Sequence, residues 1–208
     1  MTTDYKKEFE KIFKEKIKRD GADKMLEYIK TTDFFDAPAS TRFHSNHVGG
    51  LCEHSVKVYH RFVKMLECEG LYVGSGGIAT ATPRNDSETV SAESAAIIAL
   101  LHDICKVNCY KTEMRNVKEG STWVQKPYFA YDDPLPYGHG EKSVYMICGY
   151  MKLTREEAMC INWHMGAFDA RSSDGKFTCS NAYQMFPIAA IFHSADFLTT
   201  YLDEKVTR

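Results

Sequence analysis

The pair His102-Asp103 closes a run, Ala95 to Leu101, that is strongly apolar. An imidazole and a carboxylate at the end of a segment apolar enough to be buried both need polar partners, and leaving them unpaired costs several kcal/mol. A divalent cation meets that need directly, because neutral imidazole and ionised carboxylate are ligands for borderline and hard metal ions. The alternative is a helix ending near the surface, its histidine against the last carbonyls. The same theme recurs along the chain. His54 falls where the apolar and basic arcs of a helix meet, His139 sits near a helix start, and His164 ends a helix. Asp196, with His193 three residues before it on the same face, is a carboxylate in an otherwise apolar stretch, and a metal would satisfy it.

The elements that must position these groups follow from periodicity. Residues 4–18 place Phe9, Ile12, Phe13 and Ile17 at helical spacing among charges, and a second short helix runs from Gly21 to Ile29. From Leu51 to Glu67 the apolar members Val58, Tyr59, Phe62, Val63, Met65 and Leu66 fill one arc of a long helix, with Lys57, Arg61 and Lys64 on the opposite flank. The helix from about Ser91 to Asp103 is apolar over most of its circumference and reads as the buried centre. Residues 108–132 carry aromatic and β-branched residues around a polar turn at Lys118-Glu119-Gly120, which predicts a β-hairpin leaving the His-Asp junction and placed to cover it with an aromatic face. Thr154-Arg155-Glu156-Glu157 is a capping box opening the helix that ends at His164. A final helix is expected from about Ala182 to Glu204, after a polar loop over 167–181. Two segments break the pattern. The loop before Gly50 holds Arg42, His44, Asn46 and His47, with Arg42 and His44 as candidate pocket residues. Residues 70–88 are rich in Gly, Ser and Thr and read as a mobile surface insertion without the ending of a phosphate loop.

A chain of 208 residues with 44% hydrophobic content is ample for one domain, here read as 1–208. Its formal net charge of -2 argues against a dedicated duplex-binding protein. Residues Met1 to Lys7 lack an apolar signal core, and no apolar run reaches the roughly 18 residues of a membrane span. The expectation is a soluble, cytoplasmic protein without a membrane partner. Seven cysteines, an odd number without paired metal-finger spacing, read as reduced; Cys52, Cys68, Cys148 and Cys160 are taken as ordinary buried apolar residues.

In the order His54, His102-Asp103, His139, His164, Asp196 the sequence resembles the HD-domain superfamily of metal-dependent phosphohydrolases. Leu101-His102-Asp103-Ile104-Cys105-Lys106 is similar to the central motif of that superfamily, and Gly49-Gly50-Leu51-Cys52-Glu53-His54-Ser55 resembles the first-His motif of HD-type 3′-5′ exoribonucleases. The segments around His139 and His164 resemble the extra histidines of members that hold two metals. The resemblance spans about residues 42 to 203, after the N-terminal helices of residues 1–31. It implies an all-α HD-domain helical bundle with a small β-hairpin insertion.

It also implies a ligand set. His54, His102, Asp103 and Asp196 would hold one metal, and Asp103 would bridge to a second held partly by His139 and His164. Lys106 matches a position that meets substrate phosphate. Cys105 departs from the glycine usual in the motif and bears on the Lys106 geometry. The expected cofactors are one or two divalent ions among manganese, iron, cobalt, nickel and magnesium. The expected activity is hydrolysis of a phosphoester of a nucleotide or related small substrate, with Asp103, Lys106 and His193 as catalytic residues and Lys106, Arg42, His44 and Arg61 as substrate-binding residues. His193 is open between ligand, ligand partner and leaving-group acid. Three other readings remain open: an exonuclease on single-stranded nucleic acid, a di-iron oxygenase on the same scaffold, and a non-catalytic nucleotide-binding module.

Overall fold

The computed structural model describes residues 4–42, 45–73, 89–173 and 177–204. Over these residues the chain is mostly helical with two small two-stranded sheets. The N-terminal pair is α1 (Tyr5–Lys16) and α2 (Ala22–Thr31). Asp4 caps α1 by accepting from the Lys7 amide at 3.2 Å, and α1 buries Phe9, Ile12 and Phe13, as their spacing requires. Between the two helices Arg19 donates to both carboxylate oxygens of Glu157 at 2.7 Å, while Glu93 accepts from the amides of Lys18 and Arg19. One partly buried charge cluster thereby fastens the N-terminal pair to two later helices.

Those partners belong to the body of the fold. Helix α3 (Gly50–Cys68) packs on α4 (Ala92–Leu101), which also meets α1 and α6. From Ala95 to Leu101 no residue is more than 1% exposed, so α4 is the central helix that its all-round apolarity predicts. Helices α5 (Gly140–Cys148) and α6 (Arg155–Asn162) pack on each other, and α6 opens on the complete capping box of Thr154 and Glu157. No helix of the described residues is long and apolar enough to cross a membrane.

The C-terminal part differs from the single helix expected over 182–204. Helix α7 (Thr178–Met185) stops before α8 (Pro187–Leu198), and a π-turn follows over Thr199–Asp203. Pro187 causes the break: the residue before a proline is pushed out of the helical region, and Phe186 adopts φ -133°, while proline suits the first helical position. The loop read over 167–181 contains two short 3-10 turns, Gly166–Phe168 and Ala170–Ser173, and the start of α7.

The hairpin is present, with β3 (Tyr110–Glu119) antiparallel to β4 (Thr122–Tyr131) and Gly120 at φ +61° in its two-residue turn. Tyr110, Met114, Trp123, Pro127, Phe129 and Tyr131 share one face by register. Only the root reaches the His-Asp junction, where the Tyr110 hydroxyl donates to the Ala39 carbonyl at 3.3 Å; Met114 and Trp123 are exposed. The expected insertion over 70–88 lies outside the described residues from 74 to 88. Its flanks pair as two short parallel strands, β1 (Tyr72–Val73) and β2 (Val90–Ser91), which lie before α4 in the chain. All seven cysteines are free thiols. Cys52 and Cys160 are buried as expected, whereas Cys68 and Cys148 are exposed, because they fall at the solvent-facing ends of α3 and α5.

Candidate metal centre

Five separate elements bring their imidazoles and carboxylates to one place. His54 comes from the second turn of α3, and His102 and Asp103 from the end of α4. His139 precedes α5, His164 follows α6, and Asp196 comes from α8. Asp103 divides its two oxygens between two groups. Oδ2 faces His102 Nε2 at 3.4 Å and His54 Nε2 at 3.7 Å; Oδ1 faces His139 Nε2 at 3.1 Å and His164 Nε2 at 3.5 Å. On the first side Asp196 Oδ1 lies 3.1 Å from His54 Nε2 and 4.0 Å from His102 Nε2. His54, His102, Asp103 and His164 are buried, while the side chains of His139 and Asp196 keep 29% and 14% of their exposure. Of the six, His139 and Asp196 lie nearest the surface.

The far nitrogens of the rings are spoken for, and this fixes which nitrogen looks inward. His102 Nδ1 donates to the Ala99 carbonyl at 2.8 Å, and His164 Nδ1 to the Ile161 carbonyl at 2.7 Å, each three residues back in its own helix. Both histidines thus do what a helix-end histidine ordinarily does and also point a bare Nε2 at the centre. His54 Nδ1 donates to Glu204 Oε1 at 3.0 Å, and His139 Nδ1 meets Cys105 Sγ at 3.4 Å. The Nε2 atoms of His102, His139 and His164 and Asp103 Oδ1 are buried without a hydrogen-bond partner among the described residues. Buried polar atoms in that state are costly. Cations could answer these atoms: the ligand atoms of His54, His102 and Asp103, those of His102, His164 and Asp196, and those of Asp103, Cys105 and His139 each lie within 4.8 Å of one another. An imidazole and carboxylate donor set of this kind fits a divalent ion.

Charge is distributed to match. Burial opposes ionisation of Asp103, and Lys106 and His102 beside it more than offset this, holding the carboxyl well below its usual range. Burial likewise disfavours a charged His54, yet the Asp196 and Glu204 carboxylates overcome it and push the imidazole up to about 10. Asp196 is held low against its own burial by His54. The centre is rich in anionic charge and wants cations.

The sequence-predicted residues fall into three groups. His54, His102, Asp103, His139, His164 and Asp196 are together. Lys106 joins them, its Nζ donating to Asp103 Oδ2 at 2.7 Å and to the Ala39 carbonyl at 2.9 Å, so its charge is directed onto a candidate ligand. His193 adjoins through the backbone, with Nδ1 2.5 Å from the His164 carbonyl oxygen and its ring against Gly166. Arg61 stands apart: it lies two turns beyond His54 on α3, where it pairs with Asp203 through two 2.7 Å hydrogen bonds. It lines a separate cavity of about 610 Å³ that none of the six ligand residues touches, and whose His60 is paired with Glu8. Arg42 is exposed, close enough to the hairpin to act electrostatically on Tyr128, and His44 lies outside the described residues.

Two contributors escaped the sequence. Glu204, 150 residues from His54, had no local signal. Gly140 is the other: a Cβ there would lie 2.2 Å from the Asn162 carbonyl oxygen, so only glycine lets α5 start against the end of α6. That approach sets the His139 and His164 rings 4.9 Å apart. Comparison of the chain with models of protein families, with curated proteins and with solved structures finds no match.

Proposed function

We propose that the protein is an HD-type metal-dependent phosphohydrolase acting on a nucleotide or a related small phosphoester. One observation carries the reading: Asp103 offers each of its oxygens to a different pair of histidines, as a carboxylate bridging two cations would. The motif resemblance around His54 and His102-Asp103 supports it. When bound, the metal ions supply positive charge at the phosphoryl oxygens and a water acidic enough to ionise near neutral pH.

The chain's own residues do the rest. His102 and His164 hold their inward lone pairs in place through their helix carbonyls, and Glu204 does so for His54. Lys106 keeps Asp103 ionised and puts a further positive charge beside the centre. His139 and Asp196 are the two partly exposed candidate ligands, the ones nearest an arriving substrate. His193 holds the backbone that carries His164.

The test is elemental analysis of the purified protein, followed by phosphate-release assays on nucleoside mono-, di- and triphosphates and cyclic nucleotides with each candidate metal. Metal-dependent release that Asp103→Ala abolishes, together with loss of bound metal and retention of helical circular dichroism, is the expected result. A metal-loaded and active Asp103→Ala protein would overturn the proposal. So would oxygen consumption by an iron-loaded protein that releases no phosphate.

A further inference from the structure

Beside the centre three large aromatic side chains stand in water. Phe168, Phe197 and Tyr201 keep 67%, 40% and 68% of their exposure. They are not scattered. The Phe168 and Phe197 rings stack with centroids 6.2 Å apart and planes 15° from parallel, and Phe197 meets Tyr201, four residues on, at 4.7 Å. The ladder is built onto the backbone of two ligand residues. Phe197 directly follows Asp196, and Phe168 lies in the short turn that follows His164. His193 joins the two, its ring 6.2 Å from Phe197 and its Nδ1 at the His164 carbonyl oxygen.

We propose that Phe168, Phe197 and Tyr201 form a stacking shelf for the base of a nucleoside phosphate whose phosphoryl group lies at the metal centre. The inference rests on the phosphohydrolase reading and narrows its substrate to one carrying a flat ring. Contiguous exposed apolar groups mark a binding surface, and the size of this one favours a small occupant. At about 200 Å² per ring the shelf exposes roughly 350 Å², well below the about 800 Å² per partner of a stable protein interface. Its chemistry is that of a base platform: aromatic faces stack on any base, and phenylalanine offers nothing to a base edge. The cation nearest in sequence, Arg171, is committed to Asp169 and Glu141. The shelf therefore reads the ring, the centre reads the phosphate, and discrimination among the four bases is weak.

The experiment compares kcat/KM for adenosine monophosphate and for ribose 5-phosphate, which lacks the base, in wild type and in Phe197→Leu and Tyr201→Leu. Leucine keeps apolar bulk and removes the flat face. The expected wild-type preference for the nucleotide is about tenfold or more, and each variant lowers that ratio by about fivefold or more, through KM. A merely structural role would lower both substrates alike and leave the ratio intact. Metal-dependent phosphate release with no preference, or with a preference that survives both substitutions, overturns the shelf and leaves the hydrolase reading standing. A dimer in sedimentation that Phe197→Leu dissociates without moving the ratio also overturns it, in favour of a second copy. If neither monophosphate releases phosphate, calorimetric titration decides the shelf: adenosine monophosphate binding no tighter than ribose 5-phosphate overturns it, whatever the wider substrate panel says of the hydrolase reading.

Discussion

Replacing Glu204 with glutamine removes one negative charge from behind His54 without changing the length of the side chain. The two groups meet at 3.0 Å, each 1% exposed, so the hydrogen bond is charge-assisted and shielded from solvent. In the metal-free protein His54 is pushed up to about 10, against an unfolded value of 6.5. At pH 7 its Nε2 therefore carries a proton, shared with Asp196, that an incoming cation must expel. Wild-type metal affinity is expected to rise about tenfold per pH unit between pH 7 and 9 from this proton alone. Glu204→Gln lowers the His54 value and flattens that rise. At pH 9 the wild type, still about one unit below its His54 value, gives up about tenfold to the proton, while the lost orientation of the ring costs the variant about 10–100-fold, or about 1.4–2.7 kcal/mol, so the variant's net deficit there is about tenfold at most. The folded value lies above the unfolded one, so for the metal-free wild type the stabilisation is complete below about pH 6.5 and is lost as pH rises through about 10. Chelator competition over pH 7–9 and apo melting curves over the same range measure both effects. A Glu204→Gln protein with the wild-type slope between pH 7 and 9 would refute the reasoning.

The other expectations concern the frame. Gly140→Ala forces a Cβ to within 2.2 Å of the Asn162 carbonyl oxygen; it should destabilise by roughly 1–3 kcal/mol in urea unfolding and weaken metal binding on the His139 and His164 side. Arg19→Ala leaves the buried Glu157 carboxylate without its bidentate partner and should cost roughly 3 kcal/mol, the low end for a broken buried pair because Arg19 is partly exposed. Chelation of the metal should lower the melting temperature by about 5–10 °C, since an ion at a hundred times its Kd adds about 2.7 kcal/mol and a chain of this size shifts about 2–4 °C per kcal/mol. Calorimetry in the presence and absence of chelator checks it, and an unchanged melting temperature would count against a bound ion.

What the sequence disclosed, and what it concealed, depends on the range of the interaction. Local patterns were legible: the apolar circumference of α4, the arcs of α3 and the Thr154 and Glu157 box all rest on neighbours within a turn or two, and each takes its expected form. The break at Pro187 is written in the residue type, and the helix expected over 182–204 runs through it. At His102 a ligand and an ordinary helix-end histidine are not exclusive readings, because an imidazole has two nitrogens: Nδ1 meets the Ala99 carbonyl and Nε2 is left facing the cluster. Arg61 was misleading because a basic flank on one helix says nothing of Asp203, 142 residues away, which binds it. Glu204 was hidden for the same reason: no spacing rule connects it to His54.

The anchoring of His102 and His164 to carbonyls of their own helices has a consequence for traffic through the centre. Because each Nδ1 is held at a carbonyl of its own helix, each ring keeps its Nε2 edge aimed inward with or without an ion, and at these two residues little would have to rearrange when one arrives or leaves. A cation held there could accordingly be exchanged for a different one while the protein stays folded, and the identity of the bound metal would follow what its surroundings supply as much as what the candidate ligands prefer.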